Sequence, residues 1–138
     1  MNPKLRTLTV TGLAGLAALT STTPANASVA AAYGQGISVC RQDWEGYFCG
    51  YEHIAFNGTG LGYLLVANES VGQLGELNNR IASVYNNSLC TVTLYKDDNQ
   101  AGESLVVHPQ ETFDFYVVER TFNDTVSSLS VDCNERPT

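Results

Sequence analysis

The sequence predicts an all-β domain in which two Greek-key motifs pack together as a β-sandwich, and three observations predict it. From Cys40 onward the chain runs in short apolar-polar alternations broken by Gly, Asn and Asp. That is the period of strands, and little in the stretch repeats at helical spacing. Landmarks also recur at a fixed offset: Tyr51 and Tyr95, and Gly58 and Gly102, are 44 apart, while Asn78 and Asn123, and Ser83 and Ser128, are 45 apart. A repeat has to be explained as a unit, and one inserted residue between its halves accounts for the difference. Within each unit four strand-sized runs are ordered as a hairpin first and a long return later, which is the Greek-key order. Each sheet has one apolar face to cover, so two units close on each other as a sandwich.

Taken in order, residues 1–27 read as a signal peptide. Lys4 and Arg6 give a charged start, Leu8 to Leu19 is apolar and small, and Ala25-Asn26-Ala27 has the small-x-small form of a cleavage site before Ser28. The apolar run is too short for a spanning helix, which needs roughly 20 apolar residues. Residues 28–39 are Ala- and Gly-rich without a readable period, a loosely held lead-in that could add an edge strand. The domain proper is expected over 40–138, with the first Greek key at about 47–88 and the second at about 90–133.

In the first unit, Tyr47-Phe48-Cys49-Gly50-Tyr51 opens as a strand and Leu61 to Val66 follows as its partner; in the second, Thr91 to Tyr95 and Ser104 to Val107 take these places. Between them an aromatic residue is followed at the seventh position by glycine (Tyr51 to Gly58, Tyr95 to Gly102). That interval lets the chain fold back over its own strand with the ring beneath, and glycine supplies a backbone angle that a Cβ would penalise. Each unit then has a polar connection and an Asn-rich loop, Asn78 to Ser83 or Asn123 to Ser128. A final strand carries Val84, or Leu129 and Val131, inward.

Removing 27 of 138 residues leaves 111, one domain, and takes away two cations and no acid, so the formal charge moves from −7 to −9. Such a chain repels phosphate backbones and anionic lipid, and neither nucleic acid nor membrane is expected as a partner. All four cysteines, Cys40, Cys49, Cys90 and Cys133, follow the leader. Two disulfides in a secreted protein are expected, with three connectivities open and Cys40–Cys49 with Cys90–Cys133 favoured. No catalytic signature of the common hydrolase, metalloprotease or phosphate-binding types is present, so an enzyme is not expected. His53 and His108, the two histidines, read as surface or hairpin residues.

With the hairpin and loop motifs paired at matching spacing, the chain from about Tyr47 to Cys133 resembles the βγ-crystallin family. Asn123-Asp124-Thr125-Val126-Ser127-Ser128 is similar at every defined position to that family's calcium signature of two Asn/Asp, two free residues, Ser/Thr and Ser. Asn78-Asn79-Arg80-Ile81-Ala82-Ser83 departs from it at Ala82, where a hydroxyl is expected. The resemblance implies two adjacent Ca²⁺ sites shared between the loops. Their ligands would be the side chains of Asn78, Asn79, Asn123, Asp124 and Ser127, and the main-chain carbonyls of Arg80 and Thr125, completed by carbonyls near His53 and Asp97. One competent site is expected, the other being weakened by Ala82, while Ser83 and Ser128 brace the loops.

More narrowly, Gly46 to Cys49 and the run from Cys90 to Tyr95 resemble secreted microbial peptidase inhibitors of the metalloproteinase-inhibitor type. That resemblance implies a monomer blocking a secreted protease through a rigid exposed loop. No inhibitory bond transfers onto this sequence. The physical candidate is the stretch from Arg41 through Asp43 and Trp44 to Gly46, held between Cys40 and Cys49, because a cross-linked loop loses little entropy on binding and Trp and Arg anchor interfaces. Trp44 covering one end of the sandwich is the alternative. The competing functions are a calcium-binding structural or stress module and a toxin-like secreted protein, since fold does not fix function.

Overall fold

The computed structural model describes residues 30–134. The expected signal peptide and its cleavage point lie outside them. Eight strands form two antiparallel sheets. In chain order they are β1 (Ala30–Gly34), β2 (Tyr47–Tyr51), β3 (Gly62–Ala67), β4 (Ser83–Asn87), β5 (Thr91–Asp97), β6 (Ala101–Val107), β7 (Thr112–Asp114) and β8 (Ser128–Asp132), with one helix, α1 (Ile37–Asp43), between β1 and β2. The sheets run β1-β3-β2-β4-β7 and β6-β5-β8.

The two sheets are not one unit each. Strand β7 belongs in sequence to the second unit but pairs with β4 of the first, Val84 opposite Phe113. Val71, from the first unit, returns the exchange by bridging Leu129 of β8. At this place the expected four strands per unit become a single bridge. The Gln100 amide donates to the carbonyls of both Val71 and Leu129, at 3.0 Å each, alongside the N–H groups of the bridge itself. A Cβ at Gly72 would sit 2.7 Å from Asn99 Oδ1, so the second hairpin closes directly onto a glycine backbone.

Period-two burial puts Phe48, Leu65 and Val84 from one sheet against Val92, Leu94, Val107 and Leu129 from the other. Leu77, Ile81, Phe122 and Val126, from the two Asn-rich loops and the turns before them, fill the end of the same core. Helix α1 departs from the expectation of little helix and of a loose lead-in. Ile37, Val39 and Trp44 pack on Cys40, Cys49, Tyr51, Leu64, Val66 and Tyr85 to form a second apolar cluster, on the outer face of the five-stranded sheet. The segment is ordered by this burial and by the Cys40–Cys49 disulfide, not by any intrinsic helical period. Burial also pushes the Tyr51 hydroxyl up to about 12, and it donates to the Gly36 carbonyl at 3.2 Å.

Both disulfides join the expected partners, Cys40 with Cys49 and Cys90 with Cys133. Beside them, buried asparagines do work that the sequence reading missed. Asn86 Nδ2 donates to the carbonyls of Cys90 and Val107, and Asn87 Nδ2 to those of Cys40 and Trp44, tying β4 to both cross-links. In a polar, Asn-rich chain nothing in sequence separates these two from turn residues.

Candidate cation site and exposed loops

The two Asn-rich loops are the same backbone built twice. Each follows a single 3₁₀ turn, Gly75–Leu77 or Arg120–Phe122. Asn78 and Asn123 are extended, and Asn79 and Asp124 are left-handed with φ of 59° and 57°. Short polar side chains tolerate that conformation where others are strained. The loops then grip each other: Asn79 N–H donates to the Val126 carbonyl at 2.9 Å, and Asp124 N–H to the Ile81 carbonyl at 3.0 Å. These bonds are related by the 45-residue offset, so the two loops sit about a local two-fold axis.

The hairpins are likewise duplicated. Ser83 Oγ donates to the His53 carbonyl at 2.7 Å and accepts from Phe56 N–H at 3.0 Å; Ser128 Oγ donates to the Asp97 carbonyl at 2.6 Å and accepts from Gln100 N–H at 2.9 Å. Both serines are fully buried. Their bracing role therefore acts on the folded hairpins, through the carbonyls anticipated as cation ligands. The hairpin glycines differ from each other. Gly102 takes a positive φ of 82°, whereas Gly58 has an ordinary φ of −66°, contrary to the expected backbone role. Gly58 is required by close approach instead, since a Cβ there would meet the Ala55 carbonyl at 2.7 Å.

The expected calcium ligands separate into two halves. Asn123 and Asp124 face Ala82, Glu52 and His53 across a cleft of about 430 Å³. Ser127 is not among its walls and instead donates to Asn79 Oδ1 at 3.2 Å. The one carboxylate of the set and its one hydroxyl thus lie in different halves. Asn79, Arg80 and Asp124 meet in an adjoining hollow of about 280 Å³, again with Glu52 and His53. Arg80 ion-pairs with Glu52, which also lies 3.1 Å from His53 Nε2. Asn78 is exposed, and Thr125 turns its hydroxyl onto the Thr121 carbonyl at 3.0 Å.

Two observations fit a cation in the Asp124 half. Asn123 Oδ1 is buried with no hydrogen-bond partner among the described residues, while Asn123 Nδ2 donates to Asp124 Oδ2 at 3.3 Å. A buried acceptor left without a donor is costly unless something positive meets it. The Asp124 carboxyl is pushed above its ordinary value, first by loss of solvent and then by Glu52, with His53 acting the other way. The donor set is hard oxygen, as Ca²⁺ needs, but carries a single unpaired carboxylate, since Glu52 is committed to Arg80.

The stretch proposed from sequence as an inhibitory loop, residues 41–46, is helical in its first half and a short turn in its second. Arg41 and Asp43 lie on α1, and Trp44 ends it. Trp44 is half-buried, edge-on to Tyr47 at 5.4 Å, with its carbonyl accepting from Asn87. Arg41 rests over the Tyr85 ring at 5.7 Å. Trp44 thus packs in the cluster on the outer face of the five-stranded sheet, not over the end of the sandwich, and Arg41 stays exposed beside it. The exposed apolar surface lies elsewhere, above all at Tyr116-Val117-Val118 between β7 and the second 3₁₀ turn.

Comparison with known proteins yields one family and one fold. The model of peptidase inhibitor family I36 matches residues 35–107, more than half of the chain. Among solved structures, one concerned with the evolution of the eye-lens βγ-crystallin domain fold superposes with a TM-score of 0.56 at 21% identity, covering 74% of this chain and 96% of that one. Spherulin 3A from Physarum polycephalum gives 0.53 at 21% identity, over 80% and 99%. A βγ-crystallin domain from Clostridium beijerinckii gives 0.50 at 20% identity, over 64% and 99%. At these identities the structures speak for the fold alone. No curated protein matches the chain.

Proposed function

The chain belongs to peptidase inhibitor family I36, and we propose that it is a secreted inhibitor of the metalloproteinase-inhibitor type, blocking its target by non-covalent occlusion of the cleft. The family match carries this reading: it makes a peptidase the partner and inhibition, not catalysis, the activity. The build of the molecule supports it. Disulfides fix both the segment around α1 and the end of β8, so an exposed loop between them is already ordered before it binds and loses little entropy in doing so. Two disulfides in so small a domain also suit an oxidising, extracellular compartment.

We further propose that Ca²⁺ stabilises this scaffold. Asp124 and Asn123 would hold it in the Asp124 half, with the Arg80 carbonyl, where the carboxylate outweighs the hydroxyl missing at Ala82, while Ser127, Asn79 and the Thr125 carbonyl make a half that keeps its hydroxyl and has no carboxylate. Calcium here supplies charge to an otherwise uncompensated carboxylate and takes no part in inhibition itself. Affinity falls with the number of charged ligands, so binding in the range of about 10⁻⁴–10⁻³ M is expected, as in other extracellular modules.

The test is a titration of the oxidised protein against secreted metalloproteases and serine proteases, with and without Ca²⁺. Stoichiometric inhibition of at least one metalloprotease is expected. Inhibition confined to serine proteases would remove the metalloproteinase assignment, and inhibition of none would overturn the function.

A further inference from the structure

We propose that Tyr116-Val117-Val118 is the element that enters the protease, seated in an apolar subsite of its active-site cleft as a turn-shaped wedge rather than as a substrate-like strand. This rests on the inhibitor reading above. The three side chains are 62%, 66% and 46% exposed and consecutive, whereas the other exposed large apolar residues among those described, Leu61, Leu89 and Val106, are isolated in sequence. Isolated exposed apolar residues need no explanation, but a contiguous apolar tip marks an interaction site.

The tip is held rigid by its neighbours in sequence and by the first unit's hairpin. Asp114 Oδ1 accepts from Tyr116 N–H at 3.0 Å, and the Asp114 carbonyl accepts from Val117 and Val118 N–H at 2.9 and 3.0 Å. Asp114 Oδ2 accepts from Ala55 N–H at 3.0 Å, which clamps the tip to the first unit's hairpin. Directly beneath, Phe115 is fully buried between Phe113 and Phe122, and its N–H donates to the Ala82 carbonyl at 3.0 Å. Arg120 lies over the Tyr116 ring at 5.4 Å, fixing the ring without covering it. A Tyr–Arg pair is the composition of an interface anchor, with Val117 and Val118 adding apolar area beside it, and its order in the free protein lowers the entropic cost of docking.

Electrostatics fit an apolar cleft as the occupant. The chain carries a net charge of −7, yet the tip itself is uncharged, and beyond it Glu119 is followed by Arg120, so no net charge has to be desolvated on insertion. The backbone decides how it inserts. Extended peptides are bound through their own main-chain hydrogen bonds. Here the N–H groups of all three residues already point inward to Asp114, so the peptide bonds are not offered in strand form and should not be cut.

The experiment uses the full oxidised chain and whichever protease the wild type inhibits. Val117→Asp should weaken inhibition at least 100-fold with unchanged melting temperature, and the milder pair Tyr116→Ala with Val117→Ala about tenfold. Val106→Asp, the same change at an isolated exposed apolar site, should leave inhibition intact. Mass spectrometry after long incubation should find no cleavage between residues 115 and 119. Full inhibition by Val117→Asp, loss of inhibition by Val106→Asp instead, or a cut within the tip would each overturn the proposal while leaving the inhibitor reading standing. So would sedimentation showing a wild-type dimer that Val117→Asp dissociates, since the tip would then bind a second copy. Absence of any inhibited protease would remove both readings together.

Discussion

Asn79 and Asp124 occupy the same place in two loops that share one backbone, each left-handed and each bonded across the local two-fold axis, but their side chains meet different partners. Asn79 receives the Ser127 hydroxyl; Asp124 faces Ala82 and an unpartnered amide oxygen. By contrast, the serine that follows each loop does the same job twice, with distances that agree within about 0.1 Å between the halves. The duplication has thus been kept where it builds the hairpins and has diverged where it would hold an ion. The outer faces of the two sheets diverge as well. One is covered by α1, and the other leaves Thr91, Thr93, Tyr95 and Ser130 lining an open groove of about 760 Å³.

The largest test of this comparison is the pair of cross-links. The Cys90–Cys133 bond closes 43 residues and the Cys40–Cys49 bond only 9. In the chain-entropy model, replacing each pair by Ser costs about 4 and about 3 kcal/mol respectively. Denaturant unfolding should therefore rank the second unit's disulfide as the more valuable. The reverse order would mean that docking of α1 on the first sheet, and not loop closure, dominates the first unit's stability.

A sharper test asks whether the two hairpins are equivalent in energy as well as in geometry. Ser83→Ala and Ser128→Ala each leave a hairpin N–H and a carbonyl in the interior without a partner, at a cost of about 2 kcal/mol. The two values should agree within about 0.5 kcal/mol in chemical denaturation. A much larger loss at one position would show that its hairpin leans on the hydroxyl while the other is held by packing.

The repeat that made this symmetry visible was the most legible feature of the sequence. Tyr51 to Tyr95 and Asn78 to Asn123 placed both hairpins and both loops, because a local turn writes its requirements into adjacent residues. The strand exchange was not legible. Whether β7 pairs with β4 or with its own unit depends on partners far away in sequence, and so does the bridge of Val71 to Leu129. Helix α1 was missed because seven residues fixed by burial and a disulfide carry no helical period of their own. The candidate ligands were all recognisable as types. Their division between two halves was not, since it follows from which loop faces which hairpin. The reading of Arg41 to Gly46 as one loop has the same root: a Trp in a stretch closed by two cysteines looks alike whether it faces solvent or the cluster under α1.

The smallest expected effects are the most direct reading of how the loops diverged. Asp124 has a folded-state carboxyl raised above its unfolded value, so between those two values the native state binds more protons than the unfolded one. Its contribution without Ca²⁺ therefore falls as pH rises through that window, and Ca²⁺ near neutral pH should offset the loss. Asp124→Asn should flatten this part of the pH profile in calcium-free buffer and abolish the Ca²⁺-induced rise in melting temperature. Ala82→Ser restores a hydroxyl to the half that has the carboxylate, and should tighten Ca²⁺ up to about tenfold, equivalent to about 1.4 kcal/mol. Calorimetry on the two variants and on Ser127→Ala separates the halves. If Ser127→Ala removes binding while Ala82→Ser leaves it unchanged, the ion belongs beside Asn79. The buried oxygen of Asn123 would then be an uncompensated cost of the fold rather than a ligand.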